Sequence, residues 1–100
     1  MIIINKQTDG DALKVRMAGR IDMQTAPQLD KDLKESLGAV KTLDIDLGEV
    51  EYISSAGLRV LLGLYKTMSA QQGTMVLRNL QEDVFEIFKV TGFDSIFTIA

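Results

Sequence analysis

Between Thr42 and Leu77 the hydrophobic period of the chain changes twice. Leu43, Ile45 and Leu47 alternate with Asp44 and Asp46, the period of two that marks a strand with one buried face. Leu58, Val60, Leu61, Leu62, Leu64, Tyr65 and Met68 then follow at helical length, apolar on most sides near the start, as in a largely buried helix. Gln71-Gln72-Gly73 ends that helix, and Thr74 to Leu77 reads as a strand again. Strand, helix, strand in this order is a crossover unit, expected to be parallel and right-handed. In such sheets the functional crevice lies beyond the carboxyl ends of the strands. The residues at that rim are Tyr52-Ile53-Ser54-Ser55-Ala56-Gly57-Leu58-Arg59.

The flanking segments extend the pattern. Ile2 to Lys6 reads as a strand and Gln7 to Asp11, with Asp9-Gly10, as a hairpin turn. Leu13, Val15 and Met17 alternate with Lys14 and Arg16 in a second strand that ends at Gly19. Thr25 with Gln28 forms a capping box, and Pro27 falls in the first turn, where its missing N–H costs little. Ala26, Leu29, Leu33 and Leu37 repeat at helical spacing before Gly38. Asn79 with Glu82 reads as a second capping box, opening a helix with Leu80, Val84, Ile87 and Phe88 on one face and Thr91-Gly92 at its end. Ile96 to Ile99 is a last short strand. The order β-β-α-β-α-β-α-β predicts one α/β domain over residues 1–100, a mixed sheet of about five strands with helices packed on it. The methionines and Phe85, Phe88 and Phe93 are expected in its core.

Composition removes several classes of function. There is no Cys, hence no disulfide framework and no thiolate metal site. There is no His, which removes the commonest general base and metal ligand together with any Ser-His-Asp triad. A net charge of −3 without a basic cluster argues against nucleic acid and anionic membranes as partners. No window reaches the ~18 apolar residues of a membrane span, and the N-terminus lacks the features of a signal peptide. A cytoplasmic monomer without cofactor is expected, and not an enzyme.

Two readings of Ser54 and Ser55 remain on these grounds alone. One is capping: a serine hydroxyl accepts from a first-turn N–H, and the small Ala56 and Gly57 allow close packing. The other is an anion site or a covalent phosphate carrier, because exposed N–H groups and the positive end of the helix dipole favour negative charge there. The glycine spacing and lysine of a P-loop are missing. Gly-x-Ser-x-Gly is also missing, and an unactivated serine is a poor nucleophile. Ser55 is therefore read as a substrate of another enzyme rather than a catalyst.

The rim segment resembles the signature of the STAS domain of bacterial anti-sigma factor antagonists, Asp-Ser-Ser/Thr-Gly-Leu or Ser-Ala-Gly-Leu between the third strand and the second helix. Gly19-Arg20-Ile21-Asp22 is similar to the family's Gly-x-Ile/Leu-Asp, Leu43 to Leu47 to its strand before the motif, and Phe88-Lys89-Val90-Thr91-Gly92-Phe93 to its turn after the third helix. The resemblance implies an antagonist that binds an anti-sigma factor, itself a GHKL-type serine kinase, and so frees a sigma factor. It implies phosphorylation of Ser55 as the off switch, reversed by a PP2C-type phosphatase. It places Asp22, Ser54, Ser55, Ala56, Gly57 and Arg59 at the partner surface. Where close relatives of the sporulation antagonist have Asp before the acceptor, this chain has Ser54, which becomes a second candidate acceptor. The alternative within the same family is a STAS module that is never phosphorylated and binds a fixed partner in a transporter or stress-signalling complex.

Other readings stand beside these. Asp22 is either a partner contact or a loop carboxylate capping the next helix. Arg59 is either solvated or paired with a partner carboxylate. Asp44 and Asp46 share a strand face without a third ligand, which favours a solvated outer face over a metal site. Gly57, costly in a first helical turn relative to Ala, is expected to allow close approach of the partner.

Overall fold

A computed structural model describes residues 2–100. The first hairpin joins β1 (Ile2–Asp9) to β2 (Ala12–Ile21), antiparallel and in unbroken register, with Gly10 at φ +62 in the turn. Both strands outrun the alternation that announces them: β2 continues past Gly19 to Ile21. Then come α1 (Ala26–Ser36), β3 (Thr42–Ile53), α2 (Ser55–Ala70), β4 (Thr74–Arg78), α3 (Glu82–Thr91), a 3₁₀ turn (Phe93–Ser95) and β5 (Thr98–Ile99). The sheet order is β1-β2-β3-β4-β5, and every pair after the hairpin is parallel. This is the expected mixed sheet, with each helix bridging two neighbouring strands.

One face of the sheet is apolar and holds the core. Leu13, Val15 and Met17 of β2, Leu43, Ile45 and Leu47 of β3, and Met75 and Leu77 of β4 are buried in a single cluster with Leu29 and Leu33 of α1, Leu58, Leu61, Leu64 and Met68 of α2, and Val84 and Phe88 of α3. The alternate residues carry charge. Arg78 Nε donates to Asp44 Oδ2 at 2.6 Å, and Arg16 stands 4.0 Å from Asp46. Asp46 also accepts from the Gly48 N–H and from Asn79 Nδ2. The two aspartates are thus held in ion pairs, and among the described residues no group of three His, Cys, Asp or Glu side chains could hold a metal.

The largest departure from the sequence reading is β3, which runs six residues past Leu47. Arg16 pairs with Asp46 but Ala18 with Glu49, and Gly19 pairs with Val50 but Arg20 with Tyr52. β3 therefore carries two extra residues opposite β2. The two bulges change the buried spacing to Leu47, Val50 and Ile53, in steps of three that no longer resemble a strand.

Both capping boxes fail because the side chains expected to cap are engaged elsewhere. The Thr25 hydroxyl accepts from the Asp22 N–H and donates to the Arg20 carbonyl, so it is not free to cap α1. Asn79 adopts φ +60 and donates its amide to Asp46; Gln81 flanks α3 without a side-chain cap. The C-terminal end of α3 does follow expectation, since Gly92 takes the left-handed conformation at φ +79. β5 is only two residues because Phe97 turns into the core, edge-on to Tyr65 and Phe88 with ring centres 5.8 Å away. Phe88 is buried as expected, but Phe85 is exposed, and Met23 is 79% exposed. Among the described residues no helix is long and apolar enough to cross a membrane.

Candidate partner-binding rim

The parallel strands β2 and β3 end together, Ile21 opposite Ile53. The Ser54 N–H continues the ladder by donating to the Ile21 carbonyl at 2.8 Å. Asp22 and Ser54 are the next residues on each strand, so chain geometry brings together the two segments singled out in the sequence.

Ser54 is consumed by the start of α2. Its backbone is extended, at φ −93 and ψ 174, and its Oγ accepts from the Gly57 N–H at 3.3 Å. Its carbonyl takes the Leu58 N–H at 2.9 Å. This is the capping role, and it needs one serine. Ser55 is the first residue of the helix and is exposed. The N–H groups of Ser55 and Ala56 have no carbonyl one turn back, and the first turn of α2 contains no acidic residue. A hydroxyl thus stands in solvent at the positive end of a helix, with neutral neighbours in that turn. In a chain without His it has no strong base to activate it. It can accept a phosphoryl group from an external catalyst, and the added charge is favoured by the dipole.

The residues after Ser55 divide by depth. Ala56 is half-buried, Gly57 and Leu58 are buried, and Arg59 is exposed one turn from Ser55. A Cβ on Gly57 would lie 2.5 Å from Ile21 Cγ2 and 2.8 Å from Ile53 Cγ1. The close approach that this glycine permits is therefore internal, of α2 onto the ends of β2 and β3, and not the approach of a partner. That corrects the expectation for Gly57.

Asp22 closes the neighbouring helix. Its Oδ1 accepts from the Thr25 N–H at 3.0 Å and the Gln24 N–H at 2.9 Å, and the Thr25 hydroxyl lies 3.3 Å away. These bonds, led by that of the Thr25 N–H, hold the Asp22 carboxyl below its ordinary value. The geometry realises the capping role, and half-exposure leaves the side chain within reach of the surface.

Two further rim residues carry no signal in the alternation. Met23, beside Asp22, projects into solvent, and Tyr52 is 36% exposed with the Arg20 guanidinium 4.6 Å over its ring. A loop methionine reads as core by residue type, and Tyr52 falls where the bulge has destroyed the period; only its place inside the rim segment could have marked it.

Known proteins share the fold and the family resemblance. Residues 3–100 match the model of the STAS domain. The chain is 36% identical over 99 residues to an anti-sigma-B factor antagonist of Listeria monocytogenes, covering 94% of this chain and 83% of that protein. The crystal structure of an anti-sigma factor antagonist from Mycobacterium paratuberculosis superposes with a TM-score of 0.88 at 26% identity, covering 99% of this chain and 85% of that one. The Bacillus cell fate determinant SpoIIAA in its phosphorylated form has the same fold, with a TM-score of 0.76 at 19% identity over 98% of this chain and 91% of that one. The chain belongs to the STAS domain family, alongside proteins named as anti-sigma factor antagonists.

Proposed function

We propose that this protein is an anti-sigma factor antagonist whose binding surface is the rim around Ser55 and whose off switch is phosphorylation of that serine. The observation that carries the reading is the division of labour between adjacent serines: Ser54 is spent on the helix cap, while Ser55 is exposed on the first residue of α2. The unphosphorylated rim, with Asp22, Ala56 and Arg59 around Ser55, docks on an anti-sigma factor that is a GHKL-type serine kinase, and the sigma factor is released. The kinase transfers the γ-phosphoryl group of ATP to Ser55 Oγ; the hydroxyl proton passes to the kinase's base and ADP leaves. A PP2C-type phosphatase restores the hydroxyl by hydrolysis, with water supplying the oxygen of the inorganic phosphate released.

The switch needs no rearrangement of the domain. A phosphoserine carries about −1.5 to −2 charges at neutral pH, placed in the middle of a contact surface. Burying that charge against a surface fitted to a hydroxyl costs several kcal/mol, or ~10²-fold or more in affinity. The experiment mixes the protein with a preformed complex of the organism's anti-sigma factor and sigma factor and follows free sigma factor by size-exclusion chromatography. Unphosphorylated protein and Ser55→Ala are expected to release it, and the phosphorylated protein is not. Failure of the unphosphorylated protein to bind any anti-sigma factor of the organism would leave a STAS module with a different fixed partner.

A further inference from the structure

Arg59 follows Ser55 by four residues in the same helix, so their Cβ atoms lie about 5–6 Å apart on one face of α2. Both side chains are exposed. Arg59 lies on the same helix as Ser55, one turn away, whereas several other cations of the chain are engaged elsewhere. Lys6 pairs with Asp32, Arg16 with Asp46, Lys34 with Asp30, Arg78 with Asp44 and Lys89 with Glu86. Arg20 lies over Tyr52. Arg59 forms no ion pair among the described residues, and the first turn of its helix holds no carboxylate that could take it.

We propose that Arg59 captures the phosphate on Ser55 as an intrahelical ion pair, so that modification withdraws Arg59 from the partner surface in the same step that adds negative charge to it. The inference rests on the reading of Ser55 as the acceptor. An anion four residues before a cation is the favoured orientation of such a pair in a helix. The phosphate group on a serine extends the short side chain by two bonds and presents three acceptor oxygens, and the guanidinium fork binds two of them in parallel. Before modification Ser55 is neutral and Arg59 is free to meet a partner carboxylate; afterwards its charge is satisfied within its own helix. Arg59 is a positioning residue for the phosphate, and it also makes the switch act twice on one surface.

The test separates this inference from the functional reading by dispensing with the kinase. Phosphoserine is installed at position 55 during translation, and the phosphate is titrated by phosphorus NMR in the wild-type background, in Arg59→Gln, in Arg59→Lys and in Arg16→Gln as a control for net charge. The second ionisation of a phosphoserine has a pKa of about 6. In the wild-type background it is expected a few tenths of a pH unit lower than in Arg59→Gln, a gap that closes in molar salt. Arg59→Lys should recover part of the gap and Arg16→Gln should titrate as wild type. The Arg59 Nε–H resonance should move on phosphorylation. Identical titrations of the wild-type and Arg59→Gln backgrounds, or an equal shift from Arg16→Gln, would overturn the proposal whatever the kinase does. If the kinase modifies some other residue while the installed phosphate still pairs with Arg59, it is the functional reading that fails.

Discussion

The helices α2 and α3 both begin at the carboxyl rim of the same sheet, and their first turns are built in opposite ways. The first turn of α3 carries Glu82 and Asp83, whose carboxylates answer the positive end of the dipole from within the chain. The first turn of α2 is Ser55-Ala56-Gly57, without an acid, and its cap is the neutral hydroxyl of Ser54. The remaining helix sides with α3, because the Asp22 carboxylate accepts the N–H groups that lead into α1. Among the described residues three helix N-termini lie on one rim, and only at α2 is no carboxylate supplied. What sets α2 apart on the rim is the missing internal anion and the exposed hydroxyl, and these two features support the proposed site.

The largest effect expected from breaking this arrangement is at Gly57. Gly57→Ala places a methyl group against Ile21 and Ile53, both buried and both at strand ends. Overpacking of this kind costs about 1–3 kcal/mol, which a denaturant melt at fixed pH would read as a lower midpoint. An unchanged midpoint would mean that α2 can lift away from the sheet without cost. Next is Ser54→Ala, which removes the cap of α2 and should lower stability by about 1 kcal/mol while leaving Ser55 available for modification. Loss of modification in a folded Ser54→Ala protein would show that the cap holds Ser55 in the conformation a kinase needs.

A smaller effect is expected where α3 is made to resemble α2. Neutralising Glu82 and Asp83 as Gln and Asn should cost about 0.3–1 kcal/mol each, less in high salt, with no effect on modification of Ser55. A change in modification would tie α3 to the site. The smallest effect concerns Asp22, and it depends on pH. Its folded carboxyl titrates below the ordinary value of 3.8, so its contribution is complete above that value and is lost as pH falls through the lowered folded value. Asp22→Asn should be less stable than wild type at neutral pH, and the two melts should converge on acidification. A difference that persists at low pH would assign the effect to packing of the loop.

What the sequence made legible tracks how regular each segment is. The strand Leu43 to Leu47, the helix around Leu58 to Met68 and the Gly92 stop obey one periodicity each, and the order of elements follows from them. The second half of β3 does not, because two bulges turn a period of two into Leu47, Val50, Ile53. Thr25 and Asn79 have the residue types of caps, but each bonds elsewhere, Thr25 to the nearby Arg20 carbonyl and Asn79 to Asp46 on a neighbouring strand. Of the site, Ser54, Ser55 and Asp22 were visible through their motifs and are brought together at the ends of β2 and β3. The role of Gly57 was not, since a close approach can face inward or outward and only the neighbours decide which. Met23 was missed because exposure of a single apolar side chain leaves no trace in a periodic pattern, and Tyr52 was marked only by its place in the rim segment.

One asymmetry divides the two serines: Ser54 is bound into the fold and Ser55 is not. The most direct test incubates wild-type protein, Ser54→Ala and Ser55→Ala with ATP and the organism's anti-sigma factor kinase, and weighs each protein intact before mapping the modified residue by fragmentation. Wild type and Ser54→Ala are expected to gain the mass of one phosphoryl group at Ser55, and Ser55→Ala to gain none. A phosphoryl group on Ser54, or one taken up by Ser55→Ala, would contradict it.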